Sequence, residues 1–200
     1  MNQSLFRVVG FTPYIIVMFL NAFTDLGHKI TIHNTLIKSF DGSELVVYST
    51  IINAMILLPF VLLFTPAGYL SDKYPKNLIM RFSAWFAVVI TLGITASYYL
   101  GEFWISFGLT FLLALQSALY SPAKYGYVKE LLGVSRLARG NAVVQAVTII
   151  AILVGTAGYT ALFEPFLSDP NMTDKALILQ DVTHIGWFLV GGSLLELFLA

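Results

Sequence analysis

Four polar side chains within ten residues, Asn21, Asp25, His28 and Lys29, could do chemistry in an otherwise apolar stretch. The run FTPYIIVMFL precedes them, and a helix would place all four within a face of roughly 100°. A charge at the centre of a bilayer costs at least ~2.5 kcal/mol, so charges gathered on one face are expected to line a water-filled cavity. Asp25 and Lys29 are spaced i,i+4 with the acid first, which suits an ion pair within the helix.

A second polar stripe follows in LQSALYSPAKYGYVKELLG, where Gln116, Tyr120 and Lys124 are spaced four residues apart. Pro122 is expected to kink this helix near Lys124 and to leave the cavity a free carbonyl group. Two alternatives stay open. Lys124 could extend to the membrane interface, and His28 could be bonded to carbonyl groups with no part in proton transfer. Weaker candidates on other helices are Asn53, Asn141, Gln145, Thr148 and Glu196.

The composition indicates which elements must position these side chains. The 200 residues are 58% hydrophobic and 11% charged, with a mean hydropathy of +0.81, whereas soluble domains carry about 25% charged residues. We predict an all-α polytopic membrane protein. The zero net charge gives no bulk attraction to nucleic acid, and the absence of cysteine excludes disulfides, thiolate catalysis and cysteine metal sites. No cofactor or metal ion is predicted.

Six apolar segments are long enough to approach the roughly 20 residues that a membrane-spanning helix needs. They are Phe11 to Ile37, Val46 to Tyr69, Leu78 to Leu100, Phe103 to Tyr120 or Tyr127, Gly140 to Phe163, and His184 to Ala200. With a cytoplasmic N-terminus, the inner segments hold seven Lys and Arg residues and the outer segments hold two, as the positive-inside rule expects. Because the last segment ends without a polar tail, we expect the chain to be truncated in its sixth helix.

The segment GYLSDKYPKN, residues 68–77, should join the second and third helices on the inner side. Gly68 would let two helices approach closely, Asp72 would accept backbone N–H groups or pair with a cation, and Lys73 and Lys76 would contact anionic head groups. Pro75 precedes the next helix and would set the turn.

The spacing resembles the signature loop of the major facilitator superfamily, G-x-x-x-D-R/K-x-G-x-R/K, with proline in place of its second glycine. In that family the acid at the Asp72 position latches two six-helix halves in one conformation. The resemblance therefore implies a conformational loop of Gly68, Asp72, Lys73 and Lys76, and a partner half.

Two further motifs, NAFTD at residues 21–25 and LYSPAKYGYVKELLGVSRLARGNAVVQ at residues 119–145, resemble the lysophospholipid transporter family of that superfamily. The resemblance covers nearly all of residues 1–200 as an N-terminal six-helix half. It implies a bacterial inner-membrane flippase that moves lysophospholipids such as lysophosphatidylethanolamine inward for reacylation, by alternating access with a C-terminal six-helix half. Asp25 and Lys124 match polar positions of the family. Lys124 would attract the lipid phosphate and Asp25 would meet the ethanolamine ammonium.

Two other functions stay open. One is a proton-coupled exporter or small-solute porter of the same superfamily, with Asp25 and His28 as proton carriers. The other is the membrane part of a larger acylating protein, because some relatives are fused to acyltransferase and acyl-carrier-protein synthetase domains. The 200 residues hold no H-x-x-x-x-D acyltransferase signature, so the chain itself is not predicted to be an enzyme.

Overall fold

Helices make up nearly all of residues 4–200, the part of the chain that the computed structural model describes. The α-helices are α1 (Phe11–Ser39), α2 (Gly42–Leu62), α3 (Phe64–Lys73), α4 (Lys76–Leu100), α5 (Phe103–Leu132), α6 (Leu137–Phe163), α7 (Lys175–Asp181) and α8 (Thr183–Leu199). Five spans are long and apolar enough to cross a membrane, and α7 and α8, bent by 56°, form a sixth candidate. The predicted class, an all-α polytopic membrane protein, is confirmed.

The first helix continues without a break through the four polar residues Asn21, Asp25, His28 and Lys29. It ends at Ser39, two residues beyond the predicted end, and Lys38 in its last turn suits the negative end of the helix dipole. Pro13 lies in the first turn, where its missing N–H leaves no intrahelical bond unmade. The charged face is therefore part of a regular helix.

The second predicted span is broken at Leu63 into α2 and α3. Pro66 follows closely, and a proline removes a backbone donor and crowds the preceding turn, which accounts for a break at this point. The α3 helix then runs four residues beyond the predicted end at Tyr69, to Lys73. Most of the predicted loop is consequently helical, and only Tyr74 and Pro75 separate α3 from α4.

Two contacts expected of this loop are absent from residues 4–200. A Cβ added at Gly68 would meet no atom of this part of the chain within 4 Å, so the glycine serves no close helix approach there. Asp72 is exposed and caps no helix, because α4 begins after Pro75 without a side-chain cap. The backbone at Asp72 is still helical, so its carboxylate projects from the last turn of α3 instead of from a loop.

The two loop lysines contact protein groups. The Lys73 ammonium lies 5.5 Å from the ring centres of both Tyr69 and Tyr74. The Lys76 ammonium lies 2.6 Å from a carboxylate oxygen of Glu130, which ties the start of α4 to the end of α5. This end of the bundle is thus held by a turn of two residues and one ion pair.

Two apolar clusters lie at opposite ends of the bundle, and the polar residues of α1 lie between them. One cluster takes Ile32 and Leu36 from α1 and packs them against the C-terminal end of α4 and the N-terminal ends of α5 and α8. The other takes Phe11 to Met18 from α1 and packs them against the far ends of α5 and α6. Since residues 21–29 fall between these sets, the fold positions them as a polar layer in mid-helix.

Candidate functional site

A cavity of about 250 Å³ lies within this polar layer, where α1, α2, α5 and α6 meet. Asn21, Asp25 and Lys29 of α1 line it together with Lys124 of α5. Apolar side chains, among them Leu26, Ile56, Phe60, Leu113 and Ile152, form the rest of its wall. The structure thus brings one carboxylate and two ammonium groups into one largely apolar cavity.

Lys124 points into the cavity and is only 7% exposed. Its ammonium donates to the side-chain oxygen of Asn21 at 2.9 Å and lies 5.5 Å from the ring centre of Tyr120. The hydroxyl of Tyr14 donates to the Lys124 backbone carbonyl at 2.7 Å, which fastens this turn of α5 to α1. This geometry excludes a lysine that extends to the membrane interface in the conformation described.

Asp25 is held by α5 and not by its own helix. The Ser117 hydroxyl donates to its carboxylate, and Lys124 is close enough to interact with it electrostatically. The predicted ion pair with Lys29 is wrong, because the ion pairs within residues 4–200 are Lys38 with Glu164 and Lys76 with Glu130. Lys29, which is half-buried, instead extends its side chain to the cavity wall.

His28 is fully buried outside the cavity, between α1, α4 and α5. Its Nδ1 lies 2.9 Å from the Tyr98 hydroxyl, and its Nε2 lies 3.1 Å from both the Ser106 carbonyl and the Thr110 hydroxyl. A carbonyl only accepts, so Nε2 carries the proton and Nδ1 accepts from Tyr98. The alternative of a carbonyl-bonded histidine matches this arrangement, and the structure separates His28 from Asn21, Asp25 and Lys29.

Gln116 and Tyr120 lie on a different face of α5 from the cavity. Gln116 donates to the Ser83 carbonyl at 3.0 Å and to its hydroxyl at 2.6 Å. Both residues line an apolar groove of about 730 Å³ formed by α3, α4 and α5. Of the three residues in the predicted stripe, only Lys124 lines the polar cavity. The Tyr120 ring lies outside the cavity lining, with its face towards the Lys124 ammonium.

Sequence reasoning missed Ser117, Ser121 and Thr110, which line the cavity from α5. Ser117, Ser121 and Lys124 are spaced i,i+4,i+7, which also forms one face of a helix. This spacing is as regular in the sequence as that of the predicted stripe. Among the weaker candidates, Thr148 lines the cavity from α6. Asn53, Asn141 and Gln145 are exposed. The α5 helix runs through Pro122 as one helix.

The cavity suits a ligand that carries both charges. A carboxylate attracts a cationic group, an ammonium attracts an anionic one, and apolar walls strengthen both attractions by lowering the local dielectric constant. Within residues 4–200, no group of three or more His, Cys, Asp or Glu side chains is placed to hold a metal ion. The site is therefore organised for charge recognition and offers no arrangement for metal binding in this part of the chain.

Comparison with known proteins identifies relatives. The lysophospholipid transporter LplT of Photorhabdus laumondii is 32% identical over 174 residues, which are 84% of this chain and 39% of that protein. Those of Escherichia coli and Cronobacter sakazakii are 31% and 32% identical, over 78% of this chain and 36% of their own length. No family model matches the chain, and no solved structure gives a significant match. The chain spans less than two fifths of the length of these curated relatives. Over the stretch it shares with them, the chain belongs to the lysophospholipid transporter family.

Proposed function

We propose that the chain is part of a transporter that moves lysophospholipids, such as lysophosphatidylethanolamine, across the bacterial inner membrane for reacylation. The observation that carries this proposal is the cavity that holds Asp25 and Lys124 among apolar side chains. The relatives, which are named lysophospholipid transporters, support it. Binding and movement of the lipid account for these charges without an enzymatic step.

The lipid head group matches the cavity in charge and in size. Lys124 attracts the phosphate, and Asp25 attracts the ethanolamine ammonium. Lys29 supplies a second cation on the same wall. The cavity, at about 250 Å³, is smaller than the roughly 300–1,000 Å³ of most ligand pockets. It therefore takes the head group, while the acyl chain leaves along the apolar side chains of α2 and α6.

A second six-helix half would complete the site. In α2 and in the α6 span, 11% and 22% of the apolar window is buried, against 44–56% in the α1, α4 and α5 spans. Since α2 and α6 also flank the cavity, we assign their exposed faces to the partner half and the chain to the N-terminal half. Alternating access then follows from movement of the two halves about the head-group site. We place the N-terminus in the cytoplasm and Asp72, exposed at the end of α3, as the contact between halves.

The test is uptake of labelled lysophosphatidylethanolamine by spheroplasts from a strain that lacks its own lysophospholipid transporter. The full-length protein that contains this chain is expressed, either unchanged or with Asp25→Asn or Lys124→Gln. Each substitution keeps the side-chain size and removes one charge. We expect uptake with the unchanged protein, and at least a tenfold loss with either variant, since about 1.4 kcal/mol of binding is a factor of ten.

The matched controls are Asp41→Asn and Lys129→Gln, which remove the same charges at exposed positions. Their uptake should equal that of the unchanged protein. Absence of uptake by the unchanged protein, at normal membrane abundance, would reject the proposed function. Uptake that survives both cavity substitutions would leave the function standing and reject the site.

A further inference from the structure

Glu196 is a buried carboxyl group with no hydrogen-bond partner. It lies in the last turns of α8, is 1% exposed, and both of its side-chain oxygens lack a partner within residues 4–200. A buried carboxylate is strongly disfavoured unless hydrogen bonds or an opposite charge compensate the loss of water around it. Neither the proposed head-group site nor the packing of α8 uses this carboxyl group.

The neighbours of Glu196 are the two charged residues of the cavity. Asp25 of α1 and Lys124 of α5 both interact with it electrostatically. So does the Tyr120 hydroxyl of α5, which is also buried and has no hydrogen-bond partner among the described residues. On the α4 side, about one turn before Glu196, the Thr91 hydroxyl is hydrogen-bonded to the Ser193 hydroxyl of α8 at 2.8 Å. Both of these side chains are uncharged. Glu196 therefore adds a second acid to the charges of Asp25 and Lys124, from a helix, α8, that packs against α1.

We propose that Glu196 is a proton-binding site of the transporter, and that its bound proton leaves Lys124 available for the lipid phosphate. The inference rests on the proposed function for its substrate. With Glu196 neutral, Asp25 and Lys124 carry opposite charges and the pair matches a zwitterionic head group. With Glu196 ionised, the cluster gains a negative charge, which holds the Lys124 ammonium and repels the phosphate.

Thermodynamic linkage fixes the direction of the pH effect. Because the protonated form of Glu196 binds the phosphate better, lysolipid binding must draw a proton onto the protein, and a bound proton must tighten lysolipid binding. Binding is then strongest at low pH. It weakens by up to about tenfold per pH unit as the pH rises through the range where Glu196 of the free protein loses its proton.

The experiment uses the purified full-length protein in lipid nanodiscs with labelled lysophosphatidylethanolamine. Affinity is measured in steps from about pH 5 to about pH 9, which covers the range where a buried carboxyl group loses its proton. Proton uptake on lipid addition is followed with a pH-sensitive dye in weakly buffered solution. At a pH where Glu196 of the free protein is ionised, we expect uptake approaching about one proton per lipid bound, and at lower pH we expect little uptake and full affinity.

Glu196→Gln mimics the protonated side chain and should bind the lipid at every pH with the low-pH affinity of the unchanged protein, without proton uptake. Glu102→Gln, at an exposed position outside the site, should keep the pH dependence and the proton uptake. Proton uptake by the unchanged protein tests the inference even if the Glu196 variant does not fold.

Three outcomes separate the proposals. Failure to bind lysolipid at any pH rejects the proposed function. Binding that is independent of pH, with no proton uptake, leaves the function standing and overturns the assignment of Glu196. A pH dependence that persists in Glu196→Gln also overturns it, and assigns the proton to another group of the cluster, for which Asp25→Asn is the next variant.

Discussion

Replacing His28 with leucine should destabilise the protein while leaving the transport step intact. The substitution puts an apolar side chain of similar size in place of the imidazole and removes the three contacts with Tyr98, Ser106 and Thr110. Hydrogen bonds between membrane helices contribute about 0.6 kcal/mol on average and at most about 1.7. Because Ser106 and Thr110 share the one Nε2–H, the contacts count as two bonds, which give a loss of about 1 kcal/mol, with an upper limit of about 3.

The assay is reversible unfolding of the purified full-length protein in mixed micelles, which yields the free energy of unfolding directly. Lysolipid uptake per folded molecule is measured alongside. His33→Leu is the matched control, because the Nδ1 atom of His33 is buried without a hydrogen-bond partner, so that the substitution breaks no such bond there. A His28→Leu protein as stable as the unchanged one, yet unable to transport, would refute the reasoning and return His28 to the transport site.

Two more substitutions test packing and surface charge. Gly27→Ala places a Cβ that overlaps the Tyr159 ring, so thermal denaturation should show a loss of about 1–3 kcal/mol, whereas Gly158→Ala meets nothing within 4 Å and should be neutral. Equal effects of the two would contradict the close approach of α1 to α6. Glu130→Gln breaks the exposed pair with Lys76 and should cost no more than about 1 kcal/mol in the same measurement, less at high salt. A larger loss of stability that does not change with salt would contradict the expectation and mean that this ion pair contributes as a buried pair does.

Most helices of this protein are predictable from the sequence, because membrane spans are recognised by their length and apolar composition. The breaks between helices are harder to predict. Pro66 signals the break between α2 and α3, and the prediction passed over it. Asp174 accepts the N–H groups of Ala176 and Leu177 at 2.8 and 3.4 Å, an N-cap that marks the start of α7. Both signals were present in the sequence.

The composition of the site was only partly predictable, for a geometric reason. Asp25 and His28 are three residues apart, which separates their side chains by about 60° around the helix. Spacing places both on one broad face, but the neighbours decide which side chain meets the cavity and which meets Tyr98. The same holds for Asp25, whose hydrogen bond to Ser117 on another helix replaces the expected pair with Lys29. Rotation of one helix against the next is tertiary information.

The polar layer also has a consequence for the order of assembly during synthesis. The partners of Asp25 and Asn21 lie 92 and 103 residues further along the chain. Protein synthesis adds about 5–20 residues per second, so α1 leaves the ribosome roughly 5–20 s before α5 can provide these hydrogen-bond partners. It is also the least hydropathic of the five long spans. We therefore expect α1 to stay at the insertion machinery or at the membrane surface at first. It should become stably inserted only when α5, the fourth span, is in place.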